Sequence, residues 1–123
     1  MRIYRVENKQ GTGPYTSSYL DDPILGEMLD KHNEDLGQFP CRTEDFGIYI
    51  DSTLHFGFDS IAATIRWFGG HFDALTEAGY HVSEYEVDDG SVLVGKSGRQ
   101  VVFPLHDADR VRSMPMKKLL DFV

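Results

Sequence analysis

The sequence predicts a single α+β domain over residues 1–123, and three features indicate this fold class. Apolar residues recur at helical spacing in two separate stretches, residues 21–36 and 59–79. Apolar and polar residues alternate at the start of the chain and again after Gly79. Because the strand-like stretches are grouped, we expect a mostly antiparallel sheet with two to four helices, and not a parallel α/β sheet.

The N-terminal half is predicted to contain a strand and a helix. RIYRVE at 2–7 alternates as a half-buried strand does, and a glycine-rich turn follows it. Residues 21–36 have helical spacing, with Asp21 or Asp22 as the helix cap. The apolar run FGIYI at 46–50 is typical of a short strand.

Two further helices are predicted in the middle of the chain. Asp59 or Ser60 caps the first, which the glycine pair at 69–70 ends. The second spans 71–78 and stops at Gly79.

The C-terminal part is predicted to form a meander of three antiparallel strands at 80–87, 91–95 and 99–103. Turn signals, DDG and KSG, separate them. A weak helix is expected at 106–114, before a last apolar segment.

Composition excludes several classes of protein. A hydrophobic content of 41% is typical of a folded chain. No apolar run reaches the roughly 18 residues of a membrane span, and the first ten residues lack the apolar core of a signal peptide. A single cysteine, Cys41, cannot form an internal disulfide, so we expect a protein of the reducing cytoplasm.

Charge is distributed in blocks along the chain, which has a formal net charge of -8. Residues 21–59 hold ten acids and two bases, and residues 73–89 hold six acids and no base. Residues 96–118 hold six bases and two acids. We therefore expect no direct binding of nucleic acid, and an acidic face that docks on a charged protein partner. The candidate partner-binding residues are Asp21, Asp22, Glu34, Asp35, Glu44, Asp45, Asp88 and Asp89, with the loop tyrosines Tyr15 and Tyr19.

One motif matches a phosphate-binding pattern in letters alone. GSVLVGKS at 90–97 fits G-x-x-x-x-G-K-[ST], but the residues between the glycines favour a strand, and Pro104 closes the β-branched run that follows. We therefore predict a Lys-Ser-Gly hairpin turn there. The five histidines are scattered without metal-ligand spacing, so no metal site is predicted.

The opening YRVENKQGTGPY, together with GFDSIAATIRWFG, GYHVSEYEV and VGKSGRQVVF, resembles small phage and prophage proteins whose layout is similar to the ADP-ribosyltransferase fold. The resemblance implies that Arg5 and Ser60 bind NAD and that Gln100 is the late-strand catalytic residue. Gln100 is uncharged and would stabilise an oxocarbenium ion poorly, so Glu86, which shares a strand face with Glu84, is the alternative acid.

By size and charge the chain is also similar to anti-CRISPR-type inhibitors, which occlude basic channels. Two hypotheses follow. The first is a small acidic phage accessory protein that binds and inhibits a protein in the cytoplasm of the bacterial host, with a defence complex as one candidate and no cofactor. The second is a mono-ADP-ribosyltransferase that uses NAD. The sequence leaves the partner and the oligomeric state open.

Overall fold

Two three-stranded antiparallel sheets and three α-helices make up the described part of the chain, which confirms the α+β prediction. The computed structural model describes residues 1–14, 23–35, 45–47 and 53–122. The strands are β1 (Arg2–Glu7), β2 (Leu54–Gly57), β3 (His81–Glu86), β4 (Leu93–Val94), β5 (Val101–Pro104) and β6 (Asp109–Met114). The α-helices are α1 (Pro23–Glu34), α2 (Ile61–Phe68) and α3 (Phe72–Glu77). Short 3-10 helices span Asp89–Ser91, Leu105–Asp107 and Met116–Phe122.

The first sheet has the order β1-β3-β6 and lies in the middle of the molecule. Its strands alternate, so one face presents Val6, Val82 and Met114 to a core that the helices complete with Trp67 and Leu75. The other face carries Ile3 and Tyr85, which pack against Val101 and Phe103 of the second sheet. Both faces of β1 are therefore covered, although its sequence predicts a half-buried strand.

The second sheet has the order β2-β5-β4 and is joined to the first beside Gly57. Tyr4 of β1 exchanges two backbone hydrogen bonds of 2.8 Å with Phe58, directly after β2. A Cβ atom at Gly57 would lie 2.6 Å from Cγ2 of Ile3. The missing side chain therefore lets the two sheets approach each other closely.

The helices α2 and α3 begin and end where the sequence predicts, whereas α1 ends at Glu34 and its predicted cap at Asp21 or Asp22 lies outside the described residues. The hydroxyl of Ser60 accepts a 3.0 Å hydrogen bond from the backbone N–H of Ala63 and so caps α2. Gly79, with φ of 93°, follows α3 in the left-handed conformation that glycine adopts without strain.

The predicted pairing of β3 with β4 in the C-terminal meander is wrong. The three stretches do contain strands, and β4 and β5 form the expected hairpin. However, β3 pairs with β1 and β6, so it has no free edge for β4. The 3-10 helix Asp89–Ser91 leads the chain away to the second sheet.

One further local prediction is wrong, one is tested only in part, and one strand was not predicted. Residues 109–114 form the edge strand β6 and not a helix, because pairing with β3 outweighs a weak local helical preference. At 46–50, Phe46 is helical and Gly47 lies in a bend, while residues 48–50 lie outside the described residues. The strand β2, at Leu54–Gly57, follows this region.

Candidate functional site

The most buried charged group in the described residues is Glu7, which is 1% exposed between the two sheets. Its Oε1 accepts a 3.1 Å hydrogen bond from Nε of Arg5. Its Oε2 accepts hydrogen bonds from the hydroxyls of Ser83 at 2.8 Å and Tyr85 at 2.7 Å. We call Arg5, Glu7, Ser83 and Tyr85 the Glu7 centre. Register explains the cluster, because β1 and β3 pair antiparallel and alternate residues share a face.

Arg5 connects this centre to the rest of the fold. Its Nη1 donates a 2.8 Å hydrogen bond to the carbonyl of Phe56 in strand β2 of the second sheet. Its Nη2 donates to the carbonyl of Gly11 at 3.1 Å, and Gly13 lies against the guanidinium group. Burial lowers the pKa of Arg5, and the charge of Glu7 opposes that shift. The donors that the NAD hypothesis assigns to a cofactor are therefore used within the protein.

Burial shifts the pKa of two side chains at the Glu7 centre. Burial, followed by the hydrogen bond to Glu7, raises the pKa of Tyr85 to about 12. The pKa of the neighbouring His55 is lowered by burial and then by the charge of Arg5. Sequence reasoning missed Glu7, although its spacing of two residues from Arg5 places both side chains on one strand face.

A second polar cluster holds Asp45 inside the turn between β4 and β5. Its carboxylate accepts hydrogen bonds from the backbone N–H of Ser97 at 2.7 Å, from the Ser97 hydroxyl at 3.0 Å and from the side-chain amide of Gln100 at 3.0 Å. The backbone N–H of Lys96 donates to the Asp45 carbonyl at 2.7 Å. The predicted Lys-Ser-Gly turn is confirmed, and a carboxylate of the same chain occupies its donors.

This cluster corrects the expected position of Asp45. The side chain is 3% exposed and is not part of an acidic surface. A buried carboxylate requires hydrogen-bond donors, and the turn supplies three of them. The catalytic candidate Gln100 is 6% exposed, and its amide donates to Asp45.

The remaining NAD candidates contact other parts of the fold. Ser60 caps α2, as described above. Glu86 lies on the face of β3 opposite to the Glu7 centre and forms ion pairs with Arg2 at 2.8 Å and with the amino group of Met1 at 3.0 Å. Glu84 pairs with Arg2 and Arg112. Arg5, Ser60, Gln100 and Glu86 thus have separate sets of partners.

Acidic side chains are concentrated on the exposed side of α1. Glu27, Asp30 and Glu34 fall within an arc of about 60° at 3.6 residues per turn, opposite the buried Met28 and His32. Among the residues that the structure describes, these three acids form no ion pair. We call Glu27, Asp30 and Glu34 the acid stripe. The sequence-based candidates included only Glu34 of the three, because without the buried side of α1 the solvent side is not defined.

Other predicted partner-binding acids lie elsewhere. Asp35 is exposed directly after α1. Asp88 is exposed after β3, and Asp89 forms a 3.0 Å ion pair with the amino group of Met1. Five further candidates lie outside the described residues, namely Tyr15, Tyr19, Asp21, Asp22 and Glu44.

Ion pairs with acids of the same chain partly neutralise the basic block at 96–118. Lys117 pairs with Asp73 at 2.8 Å, and Lys118 pairs with Asp121 at 3.0 Å. Arg112 pairs with Glu84 at 3.2 Å and stacks over the ring of Phe122. Three of the six bases are therefore paired locally. The acid stripe forms no such pair among the described residues, and one exposed base, Lys31, lies beside it on α1.

Comparison with known families decides what kind of protein this is. A family model described as Bacteriophage T4 Y00F protein matches residues 1–117. The chain belongs to this phage protein family. The prediction of a small phage protein is thereby confirmed. No curated protein and no solved structure matches the chain.

In this Y00F family member, the matched segment includes the Glu7 centre, the Asp45 turn and the acid stripe. No helix within the described ranges is long and apolar enough to cross a membrane. Across the same ranges, no group of three or more His, Cys, Asp or Glu side chains is placed to hold a metal ion. We take the acid stripe as the candidate functional surface because its three exposed acids form no ion pair with the described residues, and the Glu7 centre stabilises the fold that presents it.

Proposed function

We propose that this phage accessory protein binds a basic surface of a bacterial host protein through the acid stripe. The observation that carries the proposal is that Glu27, Asp30 and Glu34 are exposed on one side of α1 without ion pairs to the described residues. Isolated surface acids are common, but three on one helix side in a chain of net charge -8 create a directed negative potential. Such a potential accelerates encounter with a positively charged partner.

The partner class follows from the spacing of these charges. A helix rises about 1.5 Å per residue, so the stripe extends over roughly 10 Å with one charge about every 5 Å. One strand of DNA carries a charge about every 3.4 Å along its axis. The stripe is thus a row of negative charge that is less dense than a DNA strand, and it supports competition with a phosphate backbone for a groove lined by Lys and Arg. We therefore propose a nucleic-acid-binding host protein, for which a defence complex is a candidate.

Charge reversal tests the proposal directly. The variant Glu27→Lys/Asp30→Lys/Glu34→Lys and the unaltered protein are immobilised and exposed to host lysate at low and high salt, and captured proteins are identified by mass spectrometry. We expect the unaltered protein to retain a basic protein that high salt or a DNA oligonucleotide releases. The charge-reversed variant is expected to lose it.

The matched control is Asp59→Lys/Asp107→Lys/Asp109→Lys, which changes the net charge equally at exposed positions outside α1. It is expected to capture the partner nearly as well as the unaltered protein. Equal losses in the two variants would mean that net charge, and not the acid stripe, governs capture. Unchanged capture of the partner by the charge-reversed α1 variant would contradict the proposal.

A further inference from the structure

A cavity of about 280 Å³ opens beside α3, between the turn that follows α2 and the C-terminal 3-10 helix. Its apolar walls come from Ile65, Phe72 and Leu120, and the glycine pair at 69–70 supplies backbone without side chains. Leu120 is 50% exposed, which leaves apolar surface in contact with water. An apolar group that enters the cavity would remove this surface from water, which is favourable.

Size limits what the cavity can hold. Small-molecule sites usually measure about 300 to 1,000 Å³ and enclose most of the ligand. The cavity is slightly smaller than that range and open to solvent, so a cofactor would remain largely exposed. A single leucine or aromatic side chain from a protein fits its volume better.

The charges that line the cavity cancel, because Asp73 pairs with Lys117, but the nearby exposed Glu77 forms no ion pair with the described residues and favours a basic segment around that side chain. Asp73 and Lys117 both line the cavity and form a 2.8 Å ion pair. Both side chains of this pair are exposed to solvent. An exposed pair of this kind contributes little to stability, so an incoming Lys or Arg can replace Lys117 at Asp73. Glu77 is exposed one helical turn beyond Asp73. The helix that carries both acids contacts α1, which bears the acid stripe.

We propose that this cavity receives one apolar side chain from the basic host segment that binds the acid stripe. The inference rests on the proposed function and adds an anchor to it. Electrostatic attraction to the acid stripe brings the partner to the protein, and the apolar side chain supplies a desolvated contact that holds it.

Two synthetic peptides test the anchor. Both are short segments of lysine and glycine with a fluorescent label, and the central residue is phenylalanine in one and serine in the other. We expect the phenylalanine peptide to bind about tenfold more tightly, as burial of an aromatic ring predicts. Leu120→Ser is expected to remove this preference. The matched control is Leu93→Ser, at a leucine of similar exposure (44%) on the second sheet, which should retain the preference.

Lys117→Met provides an independent variant. Without its own cation, Asp73 is available to the peptide, so both peptides should bind severalfold more tightly. Methyl spectra of the unaltered protein give a second readout, because the phenylalanine ring should shift the signals of Ile65 and Leu120 and leave those of Leu93 in place.

The outcomes separate the two proposals. If both peptides bind with equal affinity, the anchor is wrong and the acid stripe still stands. A loss of preference in Leu93→Ser as large as that in Leu120→Ser also overturns the anchor. If neither peptide binds at low salt, the proposed function fails as well.

Discussion

The hydroxyl of Tyr85 donates a 2.7 Å hydrogen bond to Oε2 of Glu7, where the two sheets bury both side chains. Glu7 in turn pairs with Arg5, which is 7% exposed. Removing one member of a buried ion pair leaves an uncompensated charge in a region of low polarity. The stability of the fold is therefore expected to depend on Glu7 far more than on the surface ion pairs.

Glu7→Gln should lower the free energy of unfolding by about 3 to 5 kcal/mol, because Arg5 keeps its charge and loses its counterion. Urea denaturation measures the change. Glu86→Gln is the control, since Glu86 pairs with Arg2 at an exposed site and should cost less than about 1 kcal/mol. Equal effects of the two substitutions would contradict the assignment of Glu7 as the central buried charge.

Tyr85 should make the fold sensitive to alkali. Because its pKa is raised to about 12, the unfolded chain loses the phenolic proton at lower pH than the folded chain does. The free energy of unfolding should therefore fall as pH rises above about 10, the ordinary tyrosine value. Denaturation at a series of alkaline pH values measures this, and Tyr85→Phe should show a smaller fall. A parallel fall in both proteins would argue against the shift.

His32 should make the fold sensitive to acid. Burial, and then the neighbouring His71, lowers the pKa of His32 to about 4. The unfolded chain binds this proton first, so the free energy of unfolding should decline as pH falls from about 6.5 towards 4. His32→Phe should reduce the decline, whereas His106→Phe, at an exposed position, should not. Identical pH profiles for the two variants would exclude His32 as the cause.

The turn after β4 should not tolerate a side chain at Gly95. A Cβ atom built there collides with the buried carboxylate of Asp45. Gly95→Ala must therefore displace that carboxylate from its donors, with an expected cost of about 1 to 3 kcal/mol. Gly90→Ala is the control, because nothing lies within 4 Å of its Cβ position, and it should change stability by less than about 0.5 kcal/mol. Thermal or urea unfolding compares the two.

Local signals predicted the helices well. The cap at Ser60, the stop at Gly79 and the turn at 96–98 depend on residues close in sequence, and the structure has all three. Pairing between distant strands was less predictable. β6 has exposed residues at five of its six positions, so its sequence lacks the apolar alternation of a half-buried strand. Its strand conformation depends on the neighbouring β3.

The candidate site was likewise predictable from local sequence only in part. The charge of the acid stripe was visible as part of an acidic block, but only the burial of Met28 and His32 identifies which side of α1 faces solvent. Asp45 belongs to the same block and is buried, because the turn at 95–100 closes over it. Composition therefore predicts the sign of the surface charge, and tertiary contacts decide which acids lie on that surface.

The pairing of β1 with β3 also affects how the chain folds as it is made. Arg2 pairs with Glu86, so the strand synthesised first has no partner in its sheet until β3 follows. At translation rates of roughly 5 to 20 residues per second, that delay is about 4 to 16 s. Ile3 and Val6, which are buried in the finished fold, spend this interval without their strand partner. Completion of the central sheet is thus a late, long-range event, and the helices between these strands can form before it.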